Sequence, residues 1–441
     1  MSSLLIRNTH VLIAQNDQVE IKENQDILIQ SRRIESIQPT GQVDPSHFDQ
    51  VIEAHGKLAM PGLMNTHAHT PMVLWRGLAE DVNIEAWFND YVWHLESNLT
   101  EKDVYLGMLL GIAEMIECGV TSVIDHYWHP RQAAQAVDES GFRAVLCPAM
   151  FGSMGLEMID QTAQFVQEYA SAANGRITTM MAPHAPYTCD DEFLKATAQK
   201  AQSIGAAIHI HAAETIEQTQ ASLTKRGKTP IQILEGTGIL DSPTLIAHAL
   251  GATPNDIEIM ASHQVQIAHC AKTYGKLAMG YAPLADFRQA GLIVGFGSDG
   301  AMSNNTLDIF EVMRLTGLQQ KTFVGDASRF TIAELLCMAT EQSAKIMARP
   351  TDLGLLEAGR LADLILIDFS GTHHQPLYSM TASLVYMLKS NDVKTVIVDG
   401  QILMLDRELK TIDKASIIAE IQVQKERLTQ KSGQQFQTYL P

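Results

Sequence analysis

The stretch MPGLMNTHAHT, residues 60–70, sets the interpretation of the whole chain. It places two histidines one residue apart, directly after a short apolar run. On a β-strand the side chains at positions i and i+2 point to the same face, so His67 and His69 can direct two imidazoles at one point. Imidazole is the commonest metal ligand in proteins, and a catalytic metal usually takes about three protein ligands plus water. The alternative is two unrelated histidines at a strand end, and the rest of the chain must decide between them.

Composition places the chain among ordinary globular proteins. It has 441 residues, of which 46% are hydrophobic and 19% charged, so it can bury a sizeable core and form one large domain plus a smaller one. The net charge of -18 argues against a nucleic-acid partner, because phosphates select patches of Lys and Arg.

Targeting and redox signals point to the cytoplasm. The N-terminus lacks the basic start and apolar core of a signal peptide, and no run of about 18 apolar residues predicts a membrane span. The five cysteines are scattered and odd in number, which is not the pattern of a disulfide framework. We therefore expect a cytoplasmic protein with no membrane partner.

Apolar runs alternate with helical segments from residue 61 onward. The predicted strands are the run before His67 and residues 120–125, 143–146, 177–181, 207–210, 245–247, 264–268 and 292–297. Predicted helices cover residues 101–118, 130–141, 155–173, 190–205 and 230–237. Eight strands alternating with helices predict an α/β fold, the (β/α)8 TIM barrel.

The two ends of the chain are rich in β-strand patterns instead. Residues 4–6, 11–13, 26–29 and 33–37 near the start, and 362–367 and 393–400 near the end, are strand-like, and the last 28 residues or so are charged and predicted to be helical. We predict a small composite β-sandwich domain from residues 1–59 and 360–441, around a barrel of residues 60–359.

Residues that can bind a metal or move a proton follow nearly every predicted barrel strand. They are His67 and His69 after the first, His184 after the fourth, His211 and Glu214 after the fifth, His248 after the sixth, His269 after the seventh and Asp299 after the eighth. In a barrel the catalytic groups come from the C-terminal ends of the strands, so the pattern predicts a metal site at the barrel mouth. His209 shares the i, i+2 relation with His211, but we expect it to face the core and leave it out of the site.

These residues resemble the amidohydrolase superfamily, and its aromatic-amine deaminase branch in particular. That branch holds methylthioadenosine/S-adenosylhomocysteine deaminases, guanine deaminases and triazine hydrolases. The similar segments are PGLMNTHAH (61–69), RGLAED (76–81), APHAPY (182–187), GSDGAMSNN (297–305), EAGRLADL (357–364) and VDG (398–400). The resemblance extends from about residue 3 to about residue 430.

The resemblance implies one divalent metal per chain and a role for each residue around it. His67, His69, His211 and Asp299 would bind the metal, which lowers the pKa of a water to about 7. Asp299 would take the proton of that water, Glu214 would protonate a ring nitrogen and then the leaving amine, and His248 would orient the water or stabilise developing charge. We expect Zn²⁺, with Fe²⁺ or Mn²⁺ as alternatives. Taken alone, His248 could be a core histidine and Asp299 a turn residue.

The lack of a lysine on the predicted fourth strand also favours a single metal ion. Binuclear members of the superfamily use a modified lysine on the fourth strand, whereas residues 177–188 contain His184 and no lysine. This weakens a cyclic-amide hydrolase interpretation.

Substrate contacts follow from the resemblance less directly. Glu96 aligns with the acid that holds ribose hydroxyls in the nucleoside deaminases of the branch, and His184 aligns with their substrate-contacting histidine. Trp93, in an aromatic cluster, can stack on a flat heterocycle, and Asn304 belongs to the motif of residues 297–305. A helix packed on the barrel rim would explain the same aromatic cluster.

The chain departs from the branch in two places where substrate selectivity can be set. Residues 269–274, HCAKTY, replace the common His-Asn-Pro-x-Ser-Asn or His-Cys-Pro-x-Ser-Asn, and Pro148 stands where some methylthioadenosine deaminases carry an arginine.

Three functions are therefore compared. The leading one is a metal-dependent deaminase that replaces an exocyclic amine on a purine-like ring with oxygen, acting on 5-methylthioadenosine, S-adenosylhomocysteine or adenosine. The second is hydrolysis of another amino- or chloro-heterocycle, such as guanine, 8-oxoguanine, a pterin or an s-triazine. The third is a non-catalytic barrel scaffold. For either enzyme the partner is a small heterocyclic substrate, and we expect a homo-oligomer, a dimer or a tetramer.

Overall fold

The eight barrel strands are parallel neighbours in a computed structural model that describes residues 3–431. In chain order they are Leu63–Ala68, Val120–Tyr127, Arg143–Met150, Ile177–Thr179 with Ala182–Pro183, Ile208–Ala212, Thr244–His248, Gln266–His269 and Ile293–Phe296. Strands one to four form one hydrogen-bonded sheet and strands five to eight another. The predicted (β/α)8 barrel is confirmed, with strand ends shifted by a few residues from the sequence prediction.

Two seams close these sheets into a barrel. At one seam the backbone of Met181 bridges Ile208 in parallel. At the other, the amide of Asp299 donates to the carbonyl of His67 at 2.9 Å. Gly297 permits this second approach, because a Cβ there would lie 2.9 Å from the His67 Cβ. The first and eighth strands, which carry three of the predicted metal ligands, are thus held together directly.

Helices cover the outside of the barrel. Those of eight or more residues are Glu101–Glu117, Pro130–Ser140, Glu157–Tyr169, Asp191–Ile204, Ile216–Arg226, Pro254–Ser262, Ile309–Val324 and, after the barrel, Lys414–Leu428. The sequence does not predict three of these helices, Ile216–Arg226, Pro254–Ser262 and Ile309–Val324. The first of them buries only Gln218 and Thr219, so it lacks an apolar pattern. Shorter helices are Ile84–Ala86, Trp93–Glu96, Ala172–Gly175, Pro230–Gly236, Ala271–Lys276, Leu284–Gln289, Ala301–Asn304, Ile332–Cys337, Ser343–Ile346 and Met380–Ala382.

A nine-stranded sheet combines both ends of the chain. Its strands are Ser3–Gln15, Gln18–Gln30, Arg33–Pro39, Gln50–Glu53, Lys57–Pro61, Leu364–Asp368, Val393–Val398, Gln401–Leu405 and Glu408–Leu409. Residues 4–6 and 11–13, predicted as separate strands, lie on one strand. Register shifts around Thr9 and a positive φ of 57° at Asn8 absorb the polar residues between them. The exact domain boundaries at residues 59/60 and 359/360 stay a prediction.

The terminal sheet is anchored to the bottom of the barrel by a buried ion cluster. Arg143, the first residue of the third barrel strand, donates to Asp363 at 2.7 and 3.0 Å and to Asp399 at 3.2 Å. The C-terminal helix returns to the barrel as well, because the indole of Trp75 donates to the carbonyl of Leu428 at 2.8 Å. The part of the predicted helical tail at residues 432–441 lies outside the described residues.

Two further expectations concern the chain as a whole. All five cysteines are buried free thiols. Between residues 3 and 431, no helix is long and apolar enough to cross a membrane.

Candidate active site

Three imidazoles and a carboxylate meet at the barrel mouth, as the sequence predicts. The Nε2 atoms of His69 and His211 lie 3.3 Å apart. The Oδ1 atom of Asp299 lies 3.4 Å from Nε2 of His69 and 3.6 Å from Nε2 of His67. Two ligand atoms that are each about 2.1 Å from a tetrahedral metal ion lie about 3.4 Å apart, so these spacings suit one ion.

The opposite nitrogen of each imidazole is held by a backbone or side-chain partner. Nδ1 of His69 donates to the carbonyl of His126 at 2.6 Å, and Nδ1 of His211 donates to the carbonyl of His184 at 2.9 Å. A carbonyl oxygen only accepts, so both rings carry their proton on Nδ1 and turn the Nε2 lone pair into the site. Such outer contacts are what orient metal-binding histidines.

His67 is held in the same way by a residue that the sequence analysis left out. Nδ1 of His209 donates to the carbonyl of Leu245 at 3.0 Å, and Nε2 of His209 lies 2.9 Å from Nδ1 of His67. Burial lowers the pKa of His209 to about 4 and keeps this ring neutral. Its Nε2 therefore accepts the His67 proton, and the prediction that His209 has no part in the site is corrected to a supporting position. The shared face of His209 and His211 was the sequence signal.

The residues present fit a bound cation. Nε2 of His67 is buried and has no hydrogen-bond partner among the described residues. An unpaired buried polar atom costs free energy, and a metal ion in the middle of this set would satisfy it. The pKa of Asp299 is held well below its usual range by the surrounding imidazoles, of which His67 is the first, although burial opposes the shift. Asp299 is therefore an anion, as the predicted metal ligand must be.

Asp299 is positioned by contacts from two neighbouring segments. Its Oδ1 accepts the amide of Gly300 at 2.8 Å, and its Oδ2 accepts the hydroxyl of Thr273 at 2.9 Å. Thr273 belongs to the segment HCAKTY that departs from the family pattern. That segment therefore contacts the site through a predicted metal ligand.

Glu214 and His248 face the same cavity from the fifth and sixth strands. Their Oε1 and Nε2 atoms lie 3.7 Å apart. Burial, followed by the charge of Asp299, raises the pKa of Glu214 to about 8, and burial lowers the pKa of His248 to about 4. At neutral pH this environment favours a carboxylic acid beside a neutral imidazole. Glu214 precedes the helix that begins at Ile216, so it lies in the strand–helix loop rather than on a helical turn after His211.

Backbone strain accompanies these positions. His248 and Asp299 have φ values of 77° and 61°, in the left-handed region that costs a non-glycine residue of the order of 1–3 kcal/mol. The surrounding barrel imposes these conformations, and both side chains line the cavity as a result.

The predicted substrate contacts divide into two groups. Glu96, Trp93 and His184 line the same cavity as the metal-binding set, and the indole of Trp128 donates to Glu96 at 3.1 Å. Asn304, in contrast, is not among the described residues that line it, and its Oδ1 accepts the amide of Thr306 at 2.7 Å.

An aromatic stack separates this inner cavity from an outer one. The ring of Phe151 stacks on Trp128 at 5.1 Å and on His184 at 4.4 Å between centroids. The inner cavity measures about 40 Å³, and the outer cavity about 440 Å³. A flat heterocycle reaches Glu214 only when these side chains move aside.

Comparisons with known proteins agree with this geometry. Residues 58–403 match the profile of the amidohydrolase family. The chain is 39% identical over 435 residues to the 5-methylthioadenosine/S-adenosylhomocysteine deaminase of Pelotomaculum thermopropionicum, covering 98% of this chain and 100% of the relative. It is 36% identical over 432 residues to the 5′-deoxyadenosine deaminase of Methanosarcina barkeri, covering 97% and 99%.

A solved structure extends the likeness to three dimensions. The adenosine deaminase of Xanthomonas campestris, crystallised with bound zinc, has a TM-score of 0.91 to this chain at 27% identity. The match covers 97% of this chain and 98% of that one.

Proposed function

The chain belongs to the amidohydrolase family as a hydrolytic aminohydrolase of C–N bonds, and we propose that it replaces the exocyclic amine of an adenosine-type purine with oxygen. The observation that carries this proposal is the cluster of three imidazoles, of which His67 and His69 approach Asp299 and His211 approaches His69, with Glu214 facing the same cavity. The names of the relatives support 5-methylthioadenosine, S-adenosylhomocysteine and adenosine as the leading substrates.

We assign one divalent metal ion to His67, His69, His211 and Asp299, with zinc as the leading metal. The zinc in the Xanthomonas structure supports this choice, and Fe²⁺ or Mn²⁺ suits the same donors. When bound, such an ion supplies a Lewis acid that lowers the pKa of water to about 7.

The protein groups move the protons of the reaction. Asp299 takes a proton from the attacking water as its oxygen bonds to the ring carbon, and Glu214 donates its proton to the adjacent ring nitrogen. Glu214 then relays the proton held by Asp299 to the exocyclic amine, the C–N bond breaks and ammonia leaves. The new hydroxyl returns a proton to Glu214 and becomes the carbonyl oxygen. His248, neutral and 3.7 Å from Glu214, orients the water.

Substrate binding is assigned to the other side of the cavity. Glu96 accepts hydrogen bonds from ribose hydroxyls, His184 contacts the nucleoside, and Trp93 stacks on its rings. Asn304 stays a predicted substrate contact, although it is not among the described residues that line the cavity.

The remaining proposals concern the whole protein. Five buried free thiols support a reducing compartment, and we infer a cytoplasmic location. We also infer a homo-oligomer, because this is the common state of soluble enzymes.

The test is ammonia release by zinc-loaded protein from a panel of substrates. The panel contains adenosine, 5-methylthioadenosine, S-adenosylhomocysteine, guanine, 8-oxoguanine, a pterin, cytosine and melamine. We expect ammonia from the adenosine compounds and loss of this activity on chelation of the metal. Ammonia only from a base or a pterin would still support hydrolytic deamination, but it would reject the role of Glu96 in binding ribose hydroxyls. No ammonia from any compound, with one metal bound per chain, would favour a chloro-heterocycle hydrolase or a scaffold.

A further inference from the structure

The outer cavity adjoins the proposed reaction site and has a different chemistry. It shares Trp93, Glu96, Trp128 and Phe151 with the inner cavity, so the two cavities lie on either side of the same side chains. Its volume of about 440 Å³ leaves room for a substituent beyond the nucleoside core. The relatives are named after substrates that differ in this substituent. 5-Methylthioadenosine, S-adenosylhomocysteine and 5′-deoxyadenosine share adenine and ribose and differ at the 5′ carbon.

The walls of the outer cavity carry no strong positive charge. Among the described residues that line it there is no Lys and no Arg, and the ionisable groups are Glu96, His129 and Tyr187. Arg131 lies two residues after His129 in the sequence. Its guanidinium does not face the cavity wall as a free cation, because it donates to Glu168 at 2.6 and 2.9 Å. Lys225 and Arg226 line a neighbouring cavity instead, which shares Ser153, Tyr187 and Thr188 with the outer one, and Arg226 is paired with Asp191.

The same walls suit an apolar group. Trp128 and Phe151 present stacked rings on one side, and Leu99 and Met154 add aliphatic and thioether surface. A thioether sulfur gains free energy from contact with an aromatic ring. An amino-acid group placed there would lose water. Its ammonium can meet Glu96, but its carboxylate finds no cation among the residues that line this cavity, which is unfavourable.

The position of Glu96 orients the substrate. This step rests on the proposed function, in which the purine lies by Glu214 and Glu96 holds the ribose hydroxyls. Because Glu96 lines both cavities, the 5′ carbon of a nucleoside held in this way faces outward.

We propose that the outer cavity binds an uncharged, apolar 5′ substituent and discriminates against one that carries an amino-acid group. The preferred substrates are therefore 5-methylthioadenosine and 5′-deoxyadenosine, and S-adenosylhomocysteine is a poor substrate.

The first experiment compares kcat/KM of the zinc-loaded full chain for these three compounds and adenosine. We expect kcat/KM for 5-methylthioadenosine to exceed that for S-adenosylhomocysteine by about tenfold or more, the effect of one poorly compensated polar group. Equal or better turnover of S-adenosylhomocysteine would overturn the inference while leaving the proposed function intact. Absence of ammonia from all four compounds would instead overturn the proposed function.

The second experiment adds a charge to the cavity wall. Ser153 is exposed and lines the outer cavity without lining the inner one. Ser153→Arg should raise the ratio of kcat/KM for S-adenosylhomocysteine over 5-methylthioadenosine by about fivefold to tenfold, because an arginine pairs with the carboxylate. Ser153→Gln adds similar bulk without charge and should keep the ratio within about twofold of the wild type, since polar pairing depends on the charge.

A second position guards against misfolding of the first variant. Ser97 is also exposed on this wall and does not line the inner cavity, and Ser97→Arg with Ser97→Gln as its control repeats the comparison. An unchanged ratio in both arginine variants, with wild-type zinc content, would show that the 5′ substituent lies elsewhere and would overturn the inference.

Discussion

Two buried polar clusters lie at opposite ends of the barrel and differ in how completely the protein satisfies them. At the bottom, Arg143 pairs with Asp363 and Asp399, and its guanidinium is matched by carboxylates at 2.7 to 3.2 Å. At the mouth, several imidazole nitrogens have no hydrogen-bond partner within residues 3–431; these are Nε2 of His67, Nδ1 of His248 and both ring nitrogens of His126 and His269.

This difference in hydrogen bonding distinguishes a cluster that stabilises the fold from one that can bind a ligand. A buried charge cluster whose hydrogen bonds are all made inside the protein positions the terminal sheet and needs nothing further. A cluster that leaves buried nitrogens unpaired retains capacity for a ligand. We therefore assign the proposed reaction to the mouth cluster and stability to the bottom cluster.

The largest expected effect is at the mouth. Glu214→Gln keeps the shape of the side chain and removes its proton, so ammonia release from 5-methylthioadenosine should fall by about 10³-fold. Zinc content should stay that of the wild type, because Glu214 is not a proposed ligand. Retention of more than a tenth of the activity would contradict the assignment of Glu214 as the general acid.

The matching change at the bottom should affect stability instead. Arg143→Met leaves two carboxylates without their shared cation, and breaking such a buried pair costs about 3–5 kcal/mol. The midpoint of urea unfolding should fall clearly, while zinc bound per folded chain stays the same. Arg131→Met, which breaks the exposed pair with Glu168, is the control and should unfold close to the wild type. Equal midpoints for both variants would contradict the proposed anchor.

His209 sharpens the comparison within the mouth. His209→Ala removes the partner of Nδ1 of His67, and loss of such an outer contact typically weakens metal binding by about 10–100-fold. His209→Gln should recover part of this, because an amide can accept from His67 and donate to Leu245 at once. Competition with a chromophoric chelator measures both affinities. Wild-type zinc affinity in the alanine variant would show that His209 only fills the core and does not support His67.

The smallest expected effect is on the pH profile. Burial raises the pKa of Glu214 to about 8, so the acid form that donates the proton dominates below this value and is lost above it. kcat/KM of the zinc-loaded enzyme should therefore decline with rising pH, along a limb that the bound cation moves below the value of about 8. A profile that rises steadily to alkaline pH would contradict a proton-donating Glu214.

The sequence predicted the barrel because its evidence is local and repeated. Strand-like runs alternate with helical ones, and most residues that follow the strands carry the chemistry, which places His67, His211 and Asp299 together without knowledge of distances. A β-bulge and a contact that supports a metal-binding histidine depend on residues that are far apart in the sequence, so no local pattern predicts them. The single strand Ser3–Gln15 depends on a register shift around Thr9, and the role of His209 depends on its distance from a strand far away in sequence.

The metal-supported deaminase site is tested most directly by titrating metal-free protein with zinc while ammonia release from 5-methylthioadenosine is followed. Activity should rise in proportion to zinc and stop rising at one equivalent per chain. In His69→Ala the same titration should give almost no activity. Full activity without metal, or no ammonia after one equivalent has bound, would contradict a metal-supported deaminase site.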